Sequence, residues 1–95
     1  MTEVTITFEG GSYNQKTIEL SSSAREAVRI SFNPSGDMAV LSLKALAAAF
    51  ITMCEAIEND KASTIKQASS REFAVAKTSM QTASMWAVLG ATKGL

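Results

Sequence analysis

Histidine is absent from this 95-residue chain, and cysteine, proline, tryptophan and tyrosine occur once each. Without histidine the commonest general base and the commonest metal ligand are both missing. The acids are scattered, so serine-, cysteine- and carboxylate-based catalysis all lack a positioned base. The single cysteine, Cys54, excludes an internal disulfide and fits a reducing compartment. Charge of neither sign dominates: nine Lys and Arg face nine Asp and Glu, which leaves no global field to draw the chain onto DNA or an anionic membrane. There is no Gly-rich phosphate loop either, since Gly10-Gly11 is followed by nothing at the required spacing. The opening MTEVTITFEGG has no positive n-region or long apolar run and does not read as a secretion signal. LKALAAAFITMCEAI is apolar for about fifteen residues, short of the ~20 that cross a bilayer. A soluble cytoplasmic protein without cofactor, metal, DNA or membrane partner is expected.

The length bounds the fold to a single domain, residues 1–95, with one modest core. In TEVTITFEGGSYNQKTIEL, Val4, Ile6 and Phe8 alternate with Thr5 and Thr7, a Gly pair marks a turn, and Ile18 and Leu20 alternate again; this predicts a β-hairpin within 1–21. Two strands alone are marginal in water, so the hairpin must lean on helices or on a neighbouring subunit. Next, Ser23 to Glu26 matches a capping box, and a short helix over 22–33 ends before Pro34, where helical backbone is disfavoured. A third strand, AVRISF, is the competing reading. Pro34 to Asp37 is a turn that also caps the following helix.

Two long helices, over 37–59 and 70–93, complete a mainly α fold with a small β element: an N-terminal β-hairpin, a short helix, and an antiparallel two-helix hairpin that oligomerises. In the first, Met38, Leu41, Ala45, Leu46, Ala49, Phe50, Met53 and Ile57 recur at spacings of three and four, an ordinary core stripe. Val40, Leu43, Ala47, Ala48 and Ile51 make a second apolar face. In the second helix, Ser69 to Glu72 matches a capping box. Phe73, Ala76, Met80, Ala83, Ala87 and Ala91 form a stripe to pack on the first helix, while Val75, Ser79, Thr82, Trp86 and Leu89 form another. Two helices cannot cover two apolar faces each. The surplus face predicts a subunit interface, and a closed symmetric homo-oligomer is the usual outcome.

Few polar side chains stand out. From Lys61 onward five cations stand against Glu72 alone, an excess that either meets an anion or balances Glu55, Glu58 and Asp60. Arg71, read into the first turn of the second long helix, has both the position and the guanidinium for a phosphate. Its competing reading is a surface residue held by Glu72 or Asp60. Lys44, the only charge between Asp37 and Glu55, either snorkels to solvent or reaches a phosphate. Phe32 and Tyr13 are aromatics that either stack on a base or pack in the core and hairpin. The hydroxyls of Thr78 and Thr82 either reach a ligand or bond their own backbone.

The stretch SSREFAVAKTSMQTASMWAVLGATK resembles the C-terminal helix of the small phage anti-CBASS sponge family, the cyclic-oligonucleotide-sequestering proteins. Its members carry a Ser-Arg-Glu helix start, an Ala-x-Thr step and a Met/Phe-Trp-Ala element, matched here by Ser70-Arg71-Glu72, Ala76-Lys77-Thr78 and Met85-Trp86-Ala87. Upstream, AVRISFNPSGDMAVLSLKALAAAF is similar to the family's short helix, aromatic-polar-Pro turn and long helix with a Lys near its start, so the resemblance spans about Glu26 to Lys93. It implies a compact homohexamer in the host-cell cytoplasm that binds cyclic dinucleotides, and in many members cyclic trinucleotides, without cleaving them, and so keeps an antiphage effector silent. Residue by residue, it implies that Phe32 stacks on a base where the family commonly has Tyr, with any phenolic hydrogen bond lost. It makes Asn33 a polar base or backbone contact, Lys44 the phosphate-contacting lysine, and Arg71, with Thr78 beyond it, the helix-start arginine of trinucleotide binding. The N-terminal hairpin departs from the family's shorter members, so no role carries over to Tyr13 or Lys16. A reading from a different class remains beside it: a small structural or regulatory oligomer that binds a host protein through its helix faces.

Overall fold

A computed structural model describes residues 2–9, 14–60 and 65–93, with side chains from 70 onward in the last stretch. The expected Gly10-Gly11 turn and Tyr13 lie outside the described residues. Strands β1 (Glu3–Thr7) and β2 (Gln15–Glu19) pair antiparallel with Val4 opposite Ile18 and Thr5 opposite Thr17. The alternation puts Ile18 into the core, while the Thr5 and Thr17 hydroxyls meet at 3.0 Å on the exposed face.

Helix α1 (Ser22–Ala27) starts one residue after Ser21, whose hydroxyl accepts from the Ala24 N–H at 3.1 Å. Ser21, rather than Ser23, is therefore the cap. Its hydroxyl also donates to Glu55 Oε1, Ser23 donates to Glu55 Oε2, both at 2.6 Å, and the Ser21 N–H donates to Thr52 Oγ1. One carboxylate on the next helix thus gathers two hydroxyls and fixes where α1 docks. The short helix stops at Ala27, six residues before the expected end at residue 33, because Arg29 turns into the left-handed region at φ 53°.

Helix α2 (Met38–Glu58) begins where expected, with the Asp37 carboxylate accepting from the Ala39 and Val40 N–H groups. Gly36 supplies the positive φ of the turn before it. Helix α3 (Ile65–Thr92) returns antiparallel: Lys77 pairs with Glu58 at 2.6 Å near the end of α2, and Leu43, Ala47 and Phe50 border a shallow hollow with Met80, Ser84 and Ala87 further back. It starts five residues before residue 70, so the Ser69–Glu72 pattern lies inside the helix.

The core joins Ile18, Leu20, Ala24 and Val28 to Ala47, Ala48, Ala49 and Ile51 of α2. This corrects the expected sides of α2 in part: Ala45 and Ala49 of the expected core stripe are buried and Met53 packs against the core, but the rest of the division does not hold. Val40, Ala47, Ala48 and Ile51 are buried within the protomer, whereas Met38, Leu46, Phe50 and Ile57 of the expected core stripe are exposed. The face rich in alanine lets α1 and the hairpin approach closely, and the larger side chains are left outside. Among the described residues α2 is the one helix long and apolar enough to cross a membrane, with a mean hydropathy of 1.8, and its Val40, Ala45, Ala47, Ala48, Ala49 and Ile51 are buried against the rest of the protein.

Candidate functional site

The turn between α1 and α2 is built around backbone that an ordinary helix end would leave unsatisfied. The Ile30 N–H bonds the Arg25 carbonyl and the Arg29 N–H bonds the Glu26 carbonyl, both at 3.0 Å. That is a Schellman ending, in which the left-handed position usually carries glycine. Here it carries Arg29. The carbonyls of Arg29 and Phe32 are then taken by the Lys44 ammonium, which donates to both from α2.

Lys44 is 6% exposed, and burial together with the adjacent Arg29 cation lowers its pKa from the ordinary lysine value. It is a buried anchor of the turn that still borders a cleft of about 290 Å³ with Arg29, Gln81, Ser84 and Met85. Phe32 is 55% exposed, with the Arg29 guanidinium 4.7 Å from its ring centroid and Lys44 Nζ at 5.6 Å. Asn33 spends its side chain locally: Nδ2 donates to the Asp37 carbonyl at 3.0 Å, and Oδ1 accepts from Ser35. Phe32, Asn33 and Lys44 are thus brought together by one turn.

Arg71 and Thr78 stand elsewhere. Both are exposed on α3, and thirteen residues separate Arg71 from Ser84, about 20 Å of helix. Arg71 is the seventh residue of α3 rather than part of its first turn, so it offers its charge without the free N–H groups of a helix start. Thr78 lines a shallow depression with Ala74, Val75 and Ser79, and its carbonyl accepts from Thr82. Part of the cationic excess of the last third is already neutralised, since Lys77 pairs with Glu58.

Sequence reasoning passed over Arg25, Arg29, Gln81 and Ser84. A groove of about 590 Å³ runs along α1 and the turn, edged by Arg25, Arg29, Ser31 and Phe32. Arg29 borders both this groove and the Lys44 cleft. Arg29 lies two residues past the end of α1, and nothing in its residue type announces a left-handed backbone.

No curated protein and no solved structure matches the chain. Residues 23–92 match the family model described as the Acb2/Tad1 hairpin domain, which covers the short helix, the turn and both long helices but not the N-terminal strands. The chain therefore belongs to the Acb2/Tad1 hairpin-domain family, the anti-CBASS cyclic-oligonucleotide sponges, known for binding cyclic nucleotides.

Proposed function

We propose that this chain is a phage-encoded, non-catalytic sponge that sequesters cyclic dinucleotides, with cyclic trinucleotides as a second ligand class, and so blocks CBASS signalling in the host-cell cytoplasm. The observation that carries it is the family match over residues 23–92 together with the turn inside it, where an exposed Phe32 ring stands beside two cations, Arg29 and Lys44. Neither cation has an ion-pair partner among the described residues. A cyclic dinucleotide carries two negative charges and two flat bases, so a site needs a few cations and a stacking surface, not a long basic stripe. In this reading Phe32 takes a base, Asn33 contacts base or backbone, and Lys44 and its neighbours face phosphate. Arg71 and Thr78 serve trinucleotides at a separate place on α3.

A sponge requires no general base, and the sequence offers no histidine to act as one. The apolar side chains left exposed on α2 and α3 support a homo-oligomer, which the family resemblance makes a homohexamer. Thermal melting with a panel of cyclic di- and trinucleotides tests the proposal. A bound ligand at a hundred times its Kd adds about 2.7 kcal/mol of stability, a clear upward shift, and denaturation followed by chromatography should return it intact. No shift with any member of the panel would sink the sponge reading, and linear product above the protein-free control would turn the protein into an enzyme.

A further inference from the structure

We propose that the groove between α1 and the Val28–Phe32 turn is a phosphodiester subsite, in which Arg25 and Arg29 hold the anion and Phe32 the neighbouring base. The inference rests on the cyclic-nucleotide reading above and adds to it a place and two residues.

Four observations converge on this groove. First, its two arginines are uncompensated: Glu26 also lines it, yet neither guanidinium forms an ion pair or donates a hydrogen bond among the described residues. Second, Arg25 Nε is buried without a hydrogen-bond partner, and a buried orphan donor is costly unless something from outside accepts from it. Third, Arg29 sits at φ 53°, where a side chain costs conformational energy that glycine would avoid. Its guanidinium carbon lies over the Phe32 ring, 4.7 Å from the centroid, and its N–H groups donate no hydrogen bond among the described residues. Fourth, the groove is open to solvent and, at about 590 Å³, has room for a phosphate and an adjoining base.

The arrangement also explains what Lys44 does from below. By donating to the carbonyls of both Arg29 and Phe32 it holds the two backbone positions whose side chains form the floor and one wall of the subsite. The anion is a phosphate with a base next to it, because a guanidinium fork matches two phosphate oxygens and the exposed part of the Phe32 ring offers stacking area alongside. The hydroxyls of Ser22 and Ser31 border the same space.

Isothermal titration of the full chain with 3′,3′-cyclic dinucleotides of adenine and guanine, against Arg25→Gln and Arg29→Asn, tests the subsite. Asparagine tolerates the left-handed backbone, so the second variant removes charge without adding strain. Each substitution should weaken binding ten- to a hundredfold while circular dichroism and oligomeric state stay as in the parent. Arg29→Lys, which keeps the charge but loses the fork, should fall between. Should either variant misfold, the parent still answers: the arginine Nε–Hε resonances of Arg25 and Arg29 should move during the titration. Affinities within threefold of the parent in both folded variants, or resonances that do not move, overturn the subsite and leave the sponge reading standing. A parent that binds none of the panel overturns both.

Discussion

Arg29 and Gly36 are the two described residues with positive φ, and they lie on either side of Phe32. Glycine at Gly36 fits such a backbone without cost. Arginine at position 29 does not, since a left-handed conformation costs a non-glycine residue about 1–2 kcal/mol. Replacement by glycine would recover that strain, lose about 0.5–1 kcal/mol to greater freedom of the unfolded chain, and lose about 0.5 kcal/mol of cation–π contact with Phe32. These effects nearly cancel. Arg29→Gly should therefore melt within about 3 °C of the parent, while its cyclic-dinucleotide affinity falls at least tenfold. An arginine retained for structure alone would give the opposite pattern, a large drop in melting temperature with affinity unchanged.

At the scale of elements, the docking of α1 depends on Glu55. Burial raises the pKa of this carboxyl, but donation from Ser21 and Ser23, with Lys77 nearby, outweighs it and holds the group below the ordinary glutamate value. A depressed folded pKa means that the stabilisation is present above the unfolded value and lost as pH falls through the folded one. Glu55→Gln should thus be less stable than the parent by about 1–2 kcal/mol at pH 7, and the gap between their melting curves should close below about pH 4.5. Parallel curves down to pH 3 would mean the carboxylate does not hold α1. The residues that dock α1 also show how far the sequence could be read. Alternation and three-four spacing located the hairpin and both long helices, and Asp37 was legible as a cap. The capping box read from Ser23 to Glu26 misplaced the α1 cap, which is Ser21, because any of three consecutive serines can accept the N–H. Periodicity could not choose between two apolar faces of α2, since the choice belongs to whichever neighbours pack closest. For the candidate site, only the family resemblance pointed to Phe32, Asn33 and Lys44 together, which the α1–α2 turn places side by side; Arg25 and Arg29 were not singled out, because their place depends on a backbone turn that residue types do not encode.

The whole molecule leaves more surface open than its size requires. A monomer of 10.1 kDa typically exposes about 5,300 Å², whereas this protomer exposes 6629 Å². Large apolar side chains stand exposed along the long helices: Val75, Met85, Trp86 and Leu89 on α3, with Met38, Leu46 and Phe50 on α2. Trp86 is the sharpest probe, being 69% exposed in the protomer. A ring in that position contributes little to folding one chain, so Trp86→Ala should leave the helical circular dichroism of the protomer intact. If the ring is enclosed by a neighbouring copy, its removal should weaken assembly by about 3 kcal/mol at each site, enough to dissociate six subunits to smaller species at micromolar concentration. Light scattering of parent and variant side by side separates the possibilities. A parent that scatters as a 10.1 kDa monomer would end the oligomer proposal, and an oligomer unmoved by Trp86→Ala would place its interface on the α2 side chains instead, where Leu46→Glu and Phe50→Glu should break it.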